Sequence, residues 1–209
     1  MIGRGLFAAA LIAGASYTIA AWAGWSGPAV VAWKGAGVAL LAGWAWHAAD
    51  TRDGRQLALV LACGAAGDVL LEAAGLVVGA IAFLIGHVIA IDLYRRHAGP
   101  GAWRLIVGCA VVVAAISAAL ARDLGVGFYA LALGAMAAAA TASRLPRQLA
   151  IGAWLFVASD LLIFAELGPL QESAAPRLLI WPLYFAGQAL IAHGGVTSLR
   201  RNENLHHRI

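Results

Sequence analysis

Apolar runs of about 20 residues follow one another along this chain, parted only by short polar, glycine or proline breaks; as a helix, each run matches the thickness of a bilayer. A backbone in lipid must satisfy its own N–H and C=O groups, so helices are the spanning element that such runs permit. Composition agrees: 63% of the 209 residues are hydrophobic, 11% are charged, and the mean hydropathy is +0.85. So few charges do not solvate the surface of a water-soluble domain. The breaks define eight candidate spans, Leu6–Trp22, Pro28–Trp46, Gln56–Ala73, Leu76–Tyr94, Trp103–Leu120, Val126–Ala142, Gln148–Glu166 and Leu178–Leu199. The expected architecture is all-α, a polytopic membrane protein of eight transmembrane helices in a single transmembrane domain over residues 1–209.

The net charge of +4 is informative through its distribution. With the N-terminus cytoplasmic, one side holds Arg4, Arg52, Arg55, Arg95, Arg96, Arg104, Arg144, Arg147, Arg200, Arg201 and Arg208, and the other holds Arg122 and Arg177. Positive residues favour the cytoplasmic side, so N- and C-termini are both expected there, in a bacterial inner (cytoplasmic) membrane. The scatter of arginines over successive loops forms no stripe and excludes nucleic acid as a partner. Arg4 ahead of an apolar run has the look of a signal peptide, but removing that run would leave an odd helix count and invert the charge pattern. Cys63 and Cys109 both fall within spans and indicate packing; neither a disulfide framework nor a thiolate metal site is implied. The end of the chain, residues 200–209, reads as a solvated tail in which His206 and His207 form no metal site.

Against this background Asp68, His87 and Asp160 stand out, each inside a span. A charged side chain at that depth costs roughly 2.5–3.5 kcal/mol on insertion scales, so such groups usually face a polar cavity and serve a function. At 1.5 Å rise per residue, Lys34, Asp68, Asp160, Tyr184 and Gln188 lie about 16–22 Å from the cytoplasmic end of their helices, and His87 about 10 Å. That shared zone predicts one cavity, open to the extracytoplasmic side or sideways to lipid. Gly64, Asp68 and Glu72 share one helix face, as do Phe83, His87 and Ile91, and Trp181, Tyr184 and Gln188. Glu72 is placed to line the cavity mouth, while Lys34 either neutralises an aspartate or meets a substrate phosphate. Carboxyl pairs out of water divide their protonation, one able to donate a proton while the other stabilises a cation or activates water. The residues alone do not say which aspartate does which.

The halves also resemble each other. Ala66-Gly67-Asp68-Val69-Leu70-Leu71 is echoed by Ala158-Ser159-Asp160-Leu161-Leu162-Ile163, and Phe83 with Gly86-His87 by Tyr184 with Gly187-Gln188. Tandem four-helix repeats, 1–98 and 99–209, would keep one orientation about an axis along the membrane normal and make Asp68 and Asp160 symmetry mates. Glycines beside alanines inside the spans read as sites of close helix approach, and Trp22, Trp25, Trp44, Trp46, Trp103 and Trp181 as an interfacial belt.

Gly67-Asp68 with Leu70-Leu71, Phe83 with Gly86-His87, Phe156 with Ser159-Asp160, Tyr184 with Gln188 and Ile191, and Lys34 in the second span together resemble the YhhN-like membrane proteins, whose animal members are lysoplasmalogenases. Gly35 stands where that family would have proline, and Cys63-Gly64 where it tends to carry serine. The resemblance implies hydrolysis of the vinyl-ether bond of a lysoplasmalogen, an alkenyl lysophospholipid, to a fatty aldehyde and a glycerophospho-headgroup. Alkene protonation followed by attack of water needs an acid, a nearby anion and a positioned water, as in glycoside hydrolysis, and no metal or organic cofactor. On this reading Asp68 and Asp160 are the catalytic acid–base pair. Lys34, Glu72, His87, Ser159, Tyr184 and Gln188 orient substrate or water, and the partners are a lysophospholipid and the membrane lipids. The alternative is a small-solute or proton-coupled transporter using the same Asp/His cluster, disfavoured by a lack of proline-broken helices around it. A metal-dependent lipid amidase would want several histidines at one depth, and only His87 is well placed.

Overall fold

In the computed structural model of the chain, residues 2–206 are described, and the side chains of residues 3–199. Eight helices account for almost all of it: α1 (Ile2–Ala23), α2 (Pro28–Ala48), α3 (Arg52–Ala73), α4 (Leu76–Arg96), α5 (Ala102–Ala121), α6 (Leu124–Ala142), α7 (Arg147–Glu166) and α8 (Ala175–His206). Each outlasts its expected span at one end or both, because polar end residues that lower an average hydropathy still complete a helical turn. Side chains of the expected solvated tail lie outside the described residues, as does His207 altogether.

Seven of the eight helices are long and apolar enough to cross a membrane. The eighth, α8, is diluted in hydropathy by Pro182, Gln188 and His193 but runs the full length of the bundle: Trp22, near the end of α1, bonds Leu178, while Val196 and Leu199 pack with Ala48 and Thr51 at the opposite end. The protein is an integral membrane protein built of helices. The α1–α2, α3–α4, α5–α6 and α7–α8 connections define a hairpin end, and both termini lie toward the other, terminal end.

Local chemistry sets the turns. Pro28 opens α2, Thr51 Oγ1 caps α3 by accepting from Gly54 N at 3.1 Å, and Asp123 Oδ1 caps α6 by accepting from Gly125 N at 2.7 Å. Reversal from α3 to α4 takes two residues, with Gly75 at φ 94°, where a side chain would be strained. At the terminal end Asp53, Gln56, Asp92, Arg96 and His97 form one network, with His97 Nε2 and Asp53 Oδ2 2.8 Å apart, that pins α3 to α4.

Consecutive helices pack antiparallel except α4 and α5, which part so that α4 meets α6 and α5 meets α7, and α8 reaches back to α1, α2 and α3. All eight contribute to one buried core. Trp22, Trp25, Trp46 and Trp103 are exposed as an interfacial belt requires, but Trp44 and Trp181 are buried. Trp181 donates to the Gly14 carbonyl at 2.8 Å and Trp44 packs on Phe7, so their nearness to span ends misplaced them. A proline does sit beside the polar cluster: Pro182 is inside α8, two residues before Tyr184. The helix stays continuous because the carbonyl four residues back, Leu178 O, accepts the Trp22 indole N–H at 2.9 Å instead.

Among the helical glycines, the tightest approach to another helix's backbone is between α7 and α8. A Cβ on Gly152 would stand 2.5 Å from Gly187 O, and one on Gly187 2.7 Å from Gly152 O. In lipid, where hydrophobicity does not drive helices together, this contact holds them by packing. Gly152→Val is expected to lower stability by about 1–3 kcal/mol through overpacking. Gly108→Val, at a position with open space around it, is expected to leave thermal unfolding in detergent unchanged.

Candidate functional site

Among the described residues, five of the six buried polar or charged side chains, Asp68, His87, Ser159, Asp160 and Gln188, are residues singled out from sequence, and all five are at most 6% exposed. Asp68 on α3 lies about 8 Å, and Asp160 on α7 about 9 Å, from the hairpin end of its helix. Neither carboxyl bonds the other; each accepts a hydrogen bond from a tyrosine on another helix. Tyr184 Oη of α8 donates to Asp68 Oδ2 at 2.9 Å, and Gln188 Nε2 donates to Tyr184 Oη at 3.1 Å. Tyr129 Oη of α6 donates to Asp160 Oδ2 at 2.8 Å. His87 Nε2 of α4 lies 3.1 Å from the same Tyr129 oxygen. With the Tyr129 proton given to Asp160, Nε2 is the donor in that pair and Nδ1 is the bare nitrogen.

Rings fill the space between these two arms. Phe156 stands with its centroid 5.1 Å from both His87 and Tyr184, and Phe83 stands 5.7 Å from Phe156 and 5.9 Å from Tyr184, with steep interplanar angles throughout. Edge-to-face contacts of this kind favour one arrangement over others. The site is therefore two carboxyl arms on either side of an aromatic cluster.

The remaining sequence candidates fall around these arms. Lys34 Nζ donates to Glu72 Oε1 at 2.6 Å, so its counter-ion is Glu72 and not an aspartate; Asp68 feels the ammonium only through space. Glu72, expected at the cavity mouth, is half-exposed and engaged by Lys34. Lysine and glutamate both reach the hairpin end of α2 and α3, which makes pairing with each other less costly than burying the ammonium against Asp68. Ser159 Oγ donates to the Ile180 carbonyl at 3.0 Å and ties α7 to α8, with its hydroxyl committed to backbone. His193 is held by Gln148 at 2.6 Å beside Phe7 and Trp44, far from His87 along the bundle.

Tyr129 was missed by sequence reading. Its signal was depth: five residues into α6 puts it about 8 Å from the hairpin end, level with Asp160. An aromatic in an apolar helix is so ordinary that only a buried acid at matching depth marks it.

Asp160 and Tyr129 line a cavity of about 410 Å³ between α4, α6 and α7, walled by Leu76, Ala80, Phe83 and Phe164 among others and open at the hairpin end beside Asp123. The rim residues Val77, Ile81 and Phe128 are 71%, 53% and 74% exposed, so the opening faces lipid sideways. Asp68 is not part of that wall. A second, smaller cavity of about 20 Å³ shares Phe83 as a wall and lies among His87, Tyr94 and Gln188 and the apolar Val60, Met136, Phe156 and Ile191. Among the described residues no three His, Cys, Asp or Glu side chains converge as metal ligands would.

A helical membrane protein with tyrosine-bound carboxyls beside a lipid-facing cleft is the class that fold and site define. The model of the YhhN family matches residues 29–195, well over half of the chain, and the protein belongs to that family. No curated protein and no solved structure matches it.

If each tyrosine serves its own carboxyl, double-mutant cycles will separate the arms. Tyr184→Phe with Asp68→Asn is expected to show a coupling of about 1–3 kcal/mol, and Tyr184→Phe with Asp160→Asn to be additive within about 0.5 kcal/mol, read from unfolding in detergent.

Proposed function

We propose that the protein is a membrane hydrolase of alkenyl lysophospholipids, cleaving the vinyl-ether bond with Asp160 as the reacting acid and Asp68 as the second carboxyl of the pair. One observation carries this reading: a buried carboxyl, held by Tyr129, forms part of the wall of an apolar cleft that opens sideways to lipid. A single-chain amphiphile fits such a cleft, its tail along Val77, Ala80, Ile81 and Phe128 and its polar end toward Asp123 at the hairpin end. Family membership and the arginine distribution support the rest: an inner-membrane protein of bacterial type with both termini cytoplasmic and the cleft in the outer leaflet.

The chemistry runs as follows. Asp160 gives its proton to the alkene carbon remote from the ether oxygen; the π electrons form the new C–H bond, and an oxocarbenium ion is left at the carbon bearing oxygen. Phe83, Phe156 and the anionic partner across them stabilise that cation through ring faces and charge. Water adds to the cationic carbon and returns a proton to the Asp160 carboxylate. The resulting hemiacetal breaks its bond to the glyceryl oxygen, which gains a proton from Asp160 while the hemiacetal hydroxyl gives its own proton back to that carboxylate, releasing a fatty aldehyde and a glycerophospho-alcohol. Retaining the acid in one place and the anion in another follows the same logic as a two-carboxyl glycosidase.

Aldehyde release from an alkenyl lysophospholipid is the assay. Asp160→Asn is expected to lower it about 10²–10⁴-fold, Asp68→Asn to lower it less. Turnover retained in a folded Asp160→Asn protein overturns the assignment. Ala80→Trp, filling the cleft, is expected to raise KM for long-chain substrate while the protein remains folded. The transporter reading gains from Pro182 next to the cluster, yet α8 is not unwound there. Solute flux into proteoliposomes without aldehyde formation would decide for it.

A further inference from the structure

On the hydrolase reading, the water consumed must be held close to a cleft that faces lipid, and one face of α4 borders a second cavity. Phe83, Gly86, His87, Ala90 and Tyr94 recur at intervals of three and four and so share a face. That face forms one side of the smaller cavity behind Phe83. Tyr94 is fully buried, and among the described residues its Oη has no hydrogen-bond partner. A buried hydroxyl with no partner is costly and rare in native proteins. The cavity it lines, about 20 Å³, has room for one water, which needs roughly 10–15 Å³ and two to four polar neighbours.

We infer that this cavity is an internal water site held by Tyr94, His87 and Gln188. Donors and acceptors balance around it. His87 has Nε2 engaged with Tyr129, which leaves Nδ1 as an acceptor; Gln188 has its amide nitrogen on Tyr184, which leaves Oε1 as another. A water gives its two protons to those atoms and accepts the third bond from Tyr94 Oη. The same water completes a path of hydrogen bonds from Asp68 through Tyr184 and Gln188 to His87, Tyr129 and Asp160. Phe83 lines both this cavity and the lipid-facing cleft, so one side chain separates the water from the reacting carbon. Resting on the hydrolase reading, Tyr94 is then a positioning residue for the water consumed in turnover. Gly64 and Gly86 keep the space open, since a Cβ on Gly64 would stand 2.7 Å from Gln188 Nε2 and one on Gly86 3.1 Å from Cys63 Cβ.

The test is Tyr94→Phe in the full-length protein, which keeps the ring and removes the hydroxyl. Were the hydroxyl truly unpartnered, its removal would raise the melting temperature; a held water makes the variant melt lower. A high-resolution structure of the unaltered protein is expected to show one ordered water within hydrogen-bond distance of Tyr94, His87 and Gln188. A higher melting temperature for Tyr94→Phe, or a cavity without that water, overturns the site. In the aldehyde assay the variant is expected to lose roughly tenfold in kcat with KM unchanged, and an unchanged kcat overturns the supply role. An unaltered protein that releases no aldehyde sinks the hydrolase reading alone, because melting and ordered water still decide the site.

Discussion

A carboxyl group in an apolar helical bundle must find a hydrogen-bond donor there, and the rest of this structure is arranged around two such groups. Asp68 takes the hydroxyl of Tyr184 and Asp160 that of Tyr129, so α3 is fixed to α8 and α6 to α7 in depth and rotation together. Sliding either helix by one turn, about 5.4 Å, would strand a carboxyl without a donor. Apolar contacts in lipid tolerate such sliding far better, since one alanine or leucine packs much as another does. Polar pairs therefore set the register, and the Phe83–Phe156 cluster fills what that register leaves between them.

The two arms meet different surroundings. On one side Asp160 borders a cleft whose rim is apolar and faces the membrane; on the other, Gln188 and His87 border a smaller cavity with Tyr94. One ring, Phe83, lines both, so the lipid-facing cleft and the smaller cavity lie a single side chain apart.

Much of this was legible in the residues. Helix number and order followed from apolar run length, and Asp68, His87, Asp160, Tyr184 and Gln188 share a buried zone because a polar side chain has nowhere else to go in lipid. What stayed hidden depended on pairing between helices. Lys34 found Glu72 because both sit near the hairpin end, and nothing along either helix alone ranks that partner above Asp68. Tyr129 resembles any packing aromatic until α6 is laid against α7. Trp181 reads as interfacial by its place in α8, but α8 starts three residues before its expected span and carries that ring into the core. Pro182 passes as a helix breaker only if the bond from Trp22 is unknown.

That bond gives α1 a standing its sequence does not advertise. The first helix precedes the stretch matched by the family model, yet its indole stands in for the backbone donor that Pro182 lacks, and its Gly14 carbonyl holds Trp181 one turn away. Tyr184 follows directly on this braced segment. A helix that lies ahead of the matched stretch thus acts as a splint for the residue that grips Asp68, so shortening α1 would loosen the hold on a carboxyl carried by α3, far from α8 in sequence.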